Sequence, residues 1–263
     1  MKALVLSAGY GERLRPLTET TPKPLLEVGG RPLIHYPLLM LRAAGVREVA
    51  INVHHMAAQI ESALGDGRTL QLAITYSREP ALRGTGGPLL DLTDYFAGEP
   101  FIIVNCDTVM DLDLVRMIEF HDTLGGLATL ALGAAGDPEA YSRIEIDAAR
   151  RIRRMRLLKG RTRGEFADYP ATLSEEIALA LTPYMYCGVM ICAPAILAAM
   201  PSKPSFSLIS DLLAPLVARK LMGFVHAGFF RTVDDLTGYN ELRVEFAAAP
   251  PPLRFLRGVP KTC

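Results

Sequence analysis

The sequence predicts an α/β fold of three layers with a mainly parallel central sheet, and three observations carry that prediction. Short apolar runs alternate with segments of helical spacing through the first half of the chain. The first apolar run, "KALVLS" at 2–7, gives way at once to a glycine turn, and the run "PFIIVNCD" at 100–107 ends in an acid. Steady alternation of strand, loop and helix places helices on both faces of a parallel sheet. Ligands in such sheets sit at the carboxyl ends of the strands, where Gly9 and Asp107 both fall.

The elements follow in order. "PLIHYPLLMLRAA" (32–44) has apolar positions at helical spacing and stops at Gly45, a C-cap residue. "EVAINVHH" and "LQLAITYS" read as strands with the short helix "MAAQIESAL" between them, and "GGPLLDLTDYF" reads as a helix opening at the glycines of "RGTGG". In the second half "LATLALGA", "SRIEID" and "YMYCGVMICA" read as strands, "LVRMIEF", "PAILAAM" and "SLISDLLAPLVARK" as helices, and "GFVHAGFFRTV" as one late strand. Without an internal repeat or a flexible linker, the expectation is one domain over residues 1–247. Its more regular half covers about 1–115, its less regular half about 116–247, and a proline-rich tail follows at 248–263.

Bulk numbers exclude some functions. Half of the 263 residues are hydrophobic, enough for a sizeable core. Lys plus Arg total 28 and Asp plus Glu total 28, so no overall field draws the chain to nucleic acid or an anionic membrane, and a charged ligand must be met by a local cluster. No apolar run approaches the roughly 20 residues of a membrane helix, and the apolar start is too short for a secretory signal core. The cysteines Cys106, Cys187, Cys192 and Cys263 form no CxxC pair. Cys263, in last place, is no C-a-a-X site, and three of the four sit in apolar surroundings that imply buried thiols. The expected compartment is the cytoplasm.

The stretch "VLSAGYGERLRPLTETTPKPL" (5–25) carries the chemistry. A glycine turn after a buried strand gathers backbone N–H groups into one concavity that suits a phosphate. The dinucleotide fingerprint wants a third glycine where Leu14 stands, which disfavours a nicotinamide oxidoreductase, and the P-loop wants its lysine directly after the last glycine, whereas Lys23 lies twelve residues beyond Gly11. What remains is a glycine turn with Arg13, Arg15 and Lys23, cations able to neutralise a triphosphate, or else an ordinary turn with solvated arginines.

The stretch "LSAGYGERLRPLTETTPKPLLEVGGRPLIHY" resembles the signature of the sugar-1-phosphate nucleotidyltransferases (NDP-sugar pyrophosphorylases), roughly A-G-G-x-G-T-R-L-x-P-L-T followed by P-K-P. The likeness continues through "EPALRGTGGPL" and "VNCD", covering about the first 115 residues well and the rest loosely. It is greatest to short bacterial members acting on N-acetylmuramate, mannose or heptose 1-phosphate. The resemblance implies a Rossmann-like fold with the nucleotide-diphospho-sugar transferase topology, and a reaction of a nucleoside triphosphate with a sugar 1-phosphate. It implies that Ser7, Ala8, Gly9, Tyr10 and Gly11 wrap the nucleotide, that Arg13 holds the β and γ phosphates, and that Lys23 bridges the α-phosphate and the sugar phosphate. Glu79 would read the base, with UTP and GTP both compatible, beside Gly84, Thr85 and Gly86. Asp107 matches the magnesium-binding aspartate, a hard-cation ligand facing phosphates.

Departures cluster on the acceptor side. Where the family carries a second metal aspartate in D-[IV]-G-T-P-E, this chain has "FFRTVDDL", with Phe229 at the aspartate position and Asp234 and Asp235 at the start of a following helix. Either one of these acids serves or a ligand is lost. The latter motivates a rival reading, a noncatalytic nucleotide-binding or regulatory protein. Leu158 replaces the glutamate before Lys159, and Ser142 stands where a glycine often contacts the sugar; with Gly188 these complete the expected sugar-phosphate site. Asp111 and Asp113 are expected to cap the helix at 114–120 rather than bind metal. His54 and His55, adjacent on a strand, should point to opposite faces and share no ion. The basic run "RRIRRMR" (150–156), without interleaved aromatics, reads as a solvated edge or an anion contact, not a nucleic-acid site. Expected partners are the two substrates, with no nucleic acid or membrane, in a monomer or homodimer.

Overall fold

The computed structural model describes residues 1–134, 136–137, 139, 141–160 and 162–258; Cys263 lies outside them. Its strands run β1 Lys2–Leu6, β2 Glu27–Val28, β3 Arg31–Pro32, β4 Glu48–Val53, β5 Ala73–Arg78, β6 Phe101–Asn105 and β7 Thr108–Met110. They continue with β8 Ala128–Ala134, β9 Arg143–Ile146, β10 Ile152–Leu158, β11 Phe166–Tyr169, β12 Thr182–Cys192, β13 Leu221–Val225 and β14 Phe230–Thr232. The α-helices are α1 His35–Ala43, α2 Ala57–Leu64, α3 Pro88–Asp91, α4 Thr93–Phe96, α5 Leu114–Leu124, α6 Glu175–Leu179 and α7 Leu236–Ala248. None is long and apolar enough to cross a membrane.

The chain forms two compact units, each assembled from separated segments. The first takes Met1–Leu82, Phe101–Leu114 and Gly228–Cys263. Its strands lie in the order β6-β1-β4-β5, every neighbouring pair parallel. Leu4, Val5, Ile51 and Ile103 are fully buried along these strands, which read as near-continuous apolar runs for that reason. A parallel sheet of this kind leaves the carboxyl ends of β1 and β6 as the place where loops gather, and the residues of interest stand there.

The second unit takes Arg83–Pro100 and Val115–Ala227. Its strands follow β11-β10-β9-β12, with β8 on β12 and β13 beyond it; these pairs are antiparallel except β13 with β8. Cys187 and Cys192 are buried here and Cys106 in the first unit, all three as free thiols, as their apolar settings predicted.

Several elements differ from expectation for identifiable reasons. "SLISDLLAPLVARK" is not one α-helix: a π-turn spans Leu208–Leu213 and a 3-10 turn Ala214–Leu216, because Pro215 has no N–H to continue an α ladder. "PAILAAM" is 3-10 over Pro194–Ala199, and the helix expected at 86–96 is two single turns, α3 and α4. "GFVHAGFFRTV" divides at Ala227 and Gly228, so that β13 pairs with β8 and β14 pairs antiparallel with β7.

Candidate active site

The glycine turn and the lysine arm of the first unit are built onto each other. Gly11 adopts φ +65°, a left-handed conformation that side chains resist, and a Cβ there would come within 2.9 Å of the Thr18 side chain and 3.2 Å of the Lys23 stem. Thr18 Oγ1 donates to the Gly11 carbonyl at 2.9 Å, which ties the turn to the arm. Lys23 opens a 3-10 turn, Lys23–Leu25, and the fixed φ of Pro22 and Pro24 restricts its backbone on both sides. By contrast the space beside Gly9 is open for 4 Å around an added Cβ.

The arm ends at Asp107, in the turn after β6, where the Lys23 ammonium donates to Oδ2; both side chains are 15% exposed. Burial pulls the lysine pKa down, but the charge of Asp107, helped by its hydrogen bond and by Asp234, outweighs it and leaves the ammonium above its ordinary value. The second carboxylate oxygen, Oδ1 of Asp107, is buried without a hydrogen-bond partner. Buried acceptors are normally satisfied, so this one marks a place for a ligand.

Arg13 Nη2 reaches Asp234 Oδ1 at 3.0 Å across 221 residues of sequence. Asp234 is brought there by β14, whose Thr232 pairs with Thr108 and whose following residue, Val233, donates its N–H to the Asp107 carbonyl at 3.2 Å. The two acids expected together at a helix start therefore part company: Asp235 caps α7 by accepting from the Gly238 N–H at 2.9 Å, while Asp234 lies before the helix and faces Arg13. Phe229 is turned to other work. Its carbonyl accepts from the Asp111 N–H at 2.9 Å, its ring packs edge-on against Phe246 at 6.5 Å, and Arg231 lies over it at 5.3 Å.

Behind the turn, Asn52 organises residues that sequence reasoning named separately. The Ser7 N–H donates to Asn52 Oδ1 at 2.8 Å, Ser7 Oγ donates to the Asn52 carbonyl at 2.6 Å, and Asn52 Nδ2 donates to Glu79 Oε1 at 2.7 Å. Ser7, Asn52 and Glu79 are all buried, and Ala8 with them. Glu79 is thus held by an amide rather than displayed on the surface. Asn52 was missed; its signal was a lone amide in the apolar run "EVAINV". Tyr10 is 43% exposed, and its hydroxyl lies 3.1 Å from His54 Nε2. Both His54 and His55 sit past the end of β4 with their rings edge-on to Tyr10, at 5.5 and 5.2 Å, so they do not splay to opposite faces of a strand as expected. Asp111 and Asp113 hold Arg254, through contacts of 2.6 to 3.2 Å that include the Arg254 backbone N–H.

In the second unit the loop glycines are explained by packing. An added Cβ at Gly86 would lie 2.1 Å from the Phe206 ring, and the Gly86 N–H donates to the Phe206 carbonyl at 2.9 Å. Gly84 approaches the same Phe206 backbone, and Thr85 Oγ1 accepts from the Leu208 N–H at 2.9 Å. Ser142 Oγ accepts from the Leu158 N–H at 2.9 Å, which places Ser142 beside Lys159; Gly188 is buried in β12 beyond its last partner in β9. The basic run is largely spent on ion pairs, Arg153 with Asp147 at 3.2 Å, Arg154 with Glu145 at 2.5 Å and Arg156 with Asp168 at 2.9 Å. Among the described residues no group of three or more His, Cys, Asp or Glu side chains could hold a metal ion, so any metal here must rely on few protein carboxylates.

The chain is a mixed α/β protein of the Rossmann-like class, with a charge cluster at the carboxyl ends of its parallel strands. Residues 2–156 match the model of the Nucleotidyl transferase family, and the chain belongs to that family. It is 46% identical over 126 residues to N-acetylmuramate alpha-1-phosphate uridylyltransferase of Neisseria meningitidis serogroup B, a match covering 47% of this chain and 54% of that protein. It is 38% identical over 145 residues to mannose-1-phosphate guanylyltransferase 1 of Arabidopsis thaliana, covering 54% of this chain and 40% of that one. The matches thus span about half the length of these relatives. Among solved structures, HddC from Yersinia pseudotuberculosis complexed with GMP-PN superposes with a TM-score of 0.72 at 22% identity, over 93% of this chain and 99% of that one. A UDP-glucose pyrophosphorylase complexed with UDP-glucose superposes at 0.68 and 19% identity, over 94% and 98%, so the mixed α/β fold is shared along nearly the whole chain.

Proposed function

We propose that the chain is a sugar-1-phosphate nucleotidyltransferase, which joins a nucleoside triphosphate, UTP or GTP, to a sugar 1-phosphate and releases pyrophosphate. The observation that carries this reading is the closed set of opposite charges in the first unit. Lys23 rests on Asp107 and Arg13 on Asp234, while one Asp107 oxygen is left buried and unpartnered. Two cations stored on two carboxylates are ready to exchange them for phosphate oxygens.

In the reaction a phosphate oxygen of the sugar 1-phosphate attacks the α-phosphorus; the bond from that phosphorus to the α–β bridging oxygen breaks, and pyrophosphate leaves with the electron pair. The nucleophile is already ionised near neutral pH, since the second pKa of a phosphate monoester is about 6, and no general base is needed. Lys23 positions the attacked phosphate and Arg13 the leaving pair, so catalysis is positioning and neutralisation of spreading charge. Asp107 Oδ1, with Asp234 in place of the absent aspartate at Phe229, would hold Mg²⁺, a hard cation suited to carboxylate and phosphate oxygens. When bound, the ion would neutralise phosphate charge. Ser142, Lys159 and Gly188 are the residues assigned to the sugar phosphate, and the Asn52-held Glu79, with Gly84 to Gly86, to the nucleoside.

The test is pyrophosphate release over a panel headed by UTP with N-acetylmuramate 1-phosphate and GTP with mannose 1-phosphate, the pairs that the relatives' names suggest. Turnover with one pair is expected. Nucleotide binding without turnover for any pair would transfer the assignment to the noncatalytic reading, which Phe229 favours.

A further inference from the structure

The second unit carries a cleft of about 540 Å³ that the reaction above does not use. Arg151, Arg153, Arg219 and Lys220 line it over an apolar floor that includes Ile152 and Val217, and among the described residues no carboxylate contributes to its wall. Arg153 is committed to Asp147 at 3.2 Å and the Lys220 ammonium donates to the Leu124 carbonyl. The Arg151 and Arg219 side chains are exposed, and neither makes an ion pair or side-chain hydrogen bond among the described residues. The chain as a whole carries no net charge, so this concentration of one sign is local.

Both edges of the cleft are fixed by backbone. Arg151 bridges Met222, the Gly223 N–H donates to the Arg150 carbonyl at 2.8 Å, and the Leu127 N–H donates to the Lys220 carbonyl at 2.8 Å. Holding the unpaired guanidiniums of Arg151 and Arg219 at one concavity, beside Arg153 and Lys220, opposes folding unless an anion joins them. The size fits a small molecule rather than a flat docking face. Guanidinium forks match phosphate oxygens two at a time, and among the described residues no aromatic side chain lines the cleft to stack a nucleobase.

We propose that this cleft binds a soluble phosphorylated small molecule of two or more negative charges, at a site separate from the reaction. Along β10 the cleft is lined by Ile152 and Arg153, whereas Lys159 follows the strand's other end; the six residue steps from Arg153 to Lys159 span roughly 20 Å. A phosphate in the cleft is therefore not the acceptor, and the proposal stands independently of the transferase reading.

Titration calorimetry with inorganic tripolyphosphate tests it, in an Arg13→Ala/Lys23→Ala background that removes the candidate nucleotide clamp. One bound equivalent is expected, and adding Arg151→Glu/Arg219→Glu should weaken it at least tenfold with thermal unfolding unchanged. If that charge reversal prevents folding, Arg151→Gln/Arg219→Gln should still weaken binding fivefold or more. Equal affinity with and without the cleft substitutions would overturn the proposal, as would no binding at millimolar tripolyphosphate. Sedimentation of the background protein with vesicles one-third anionic phospholipid, without tripolyphosphate binding, would overturn it in favour of a membrane surface.

Discussion

Both units are rich in cations, yet they use them oppositely. In the first, Arg13 and Lys23 each meet one acid around a buried oxygen that has no partner. In the second, Arg153, Arg154 and Arg156 are bound into pairs along β10 with acids on neighbouring strands and turns, and Ser142 is engaged by a backbone N–H. A run of positive charge thus says little about ligands until its partners are counted. Where carboxylate oxygens are left over, a charge cluster is chemistry; where each is consumed, it is scaffolding.

Substitutions can break or sharpen that contrast. Lys23→Ala should lower kcat/KM by about a thousandfold or more, about 4 kcal/mol of transition-state stabilisation. Its fold should survive, checked by circular dichroism beside the pyrophosphate assay. Asp234→Asn should separate two roles of that residue. If it holds only Arg13, activity should fall about tenfold with the Mg²⁺ dependence unchanged, whereas a metal ligand would also raise the Mg²⁺ concentration for half-maximal protection against thermal unfolding in the presence of nucleotide.

His35 offers a control within the first unit but away from the charge cluster. Burial, reinforced by Arg31, lowers its pKa to about 4. A lowered histidine is held neutral by the fold, so its contribution is complete above the unfolded value near 6.5 and is lost as pH falls toward 4. Between pH 7.5 and 4.5 the native protein should lose about 2.5 kcal/mol more than His35→Leu, measured by urea unfolding at the two pH values. Gly11→Ala should cost about 1–2 kcal/mol through left-handed strain alone, and activity should fall further because the new methyl presses on the Lys23 stem. The smallest effect belongs to the second unit: Arg156→Ala should change stability by less than about 1 kcal/mol, as part-exposed ion pairs do, and leave kcat unchanged. A large fall in kcat there would erase the contrast.

What sequence could reveal divides along the same line. The four parallel strands of the first unit, the glycine turn, the lysine between prolines and the acid after "FIIVN" were legible, because backbone geometry and local charge dictate them, whereas the short β2, β3 and β7 were not read. The pairing of Arg13 with Asp234 was not, since only tertiary structure decides which of two adjacent acids caps α7 and which faces the turn. Asn52 was hidden similarly: one amide in an apolar strand gains meaning only when Ser7 and Glu79 are found on either side of it. The irregular helix at 208–216 defeated periodicity because Pro215 interrupts a pattern that is otherwise helical.

The first unit is completed by Gly228–Cys263, which returns to it after Val115–Ala227 has been spent on the second unit. A chain cut after β13 would carry the glycine turn, Lys23 and Asp107, but Arg13 would have no Asp234 and Asp107 no neighbouring β14. Such a chain should therefore bind nucleotide weakly or not at all, so the charge cluster of the first unit depends on two stretches of chain that the second unit's sequence separates.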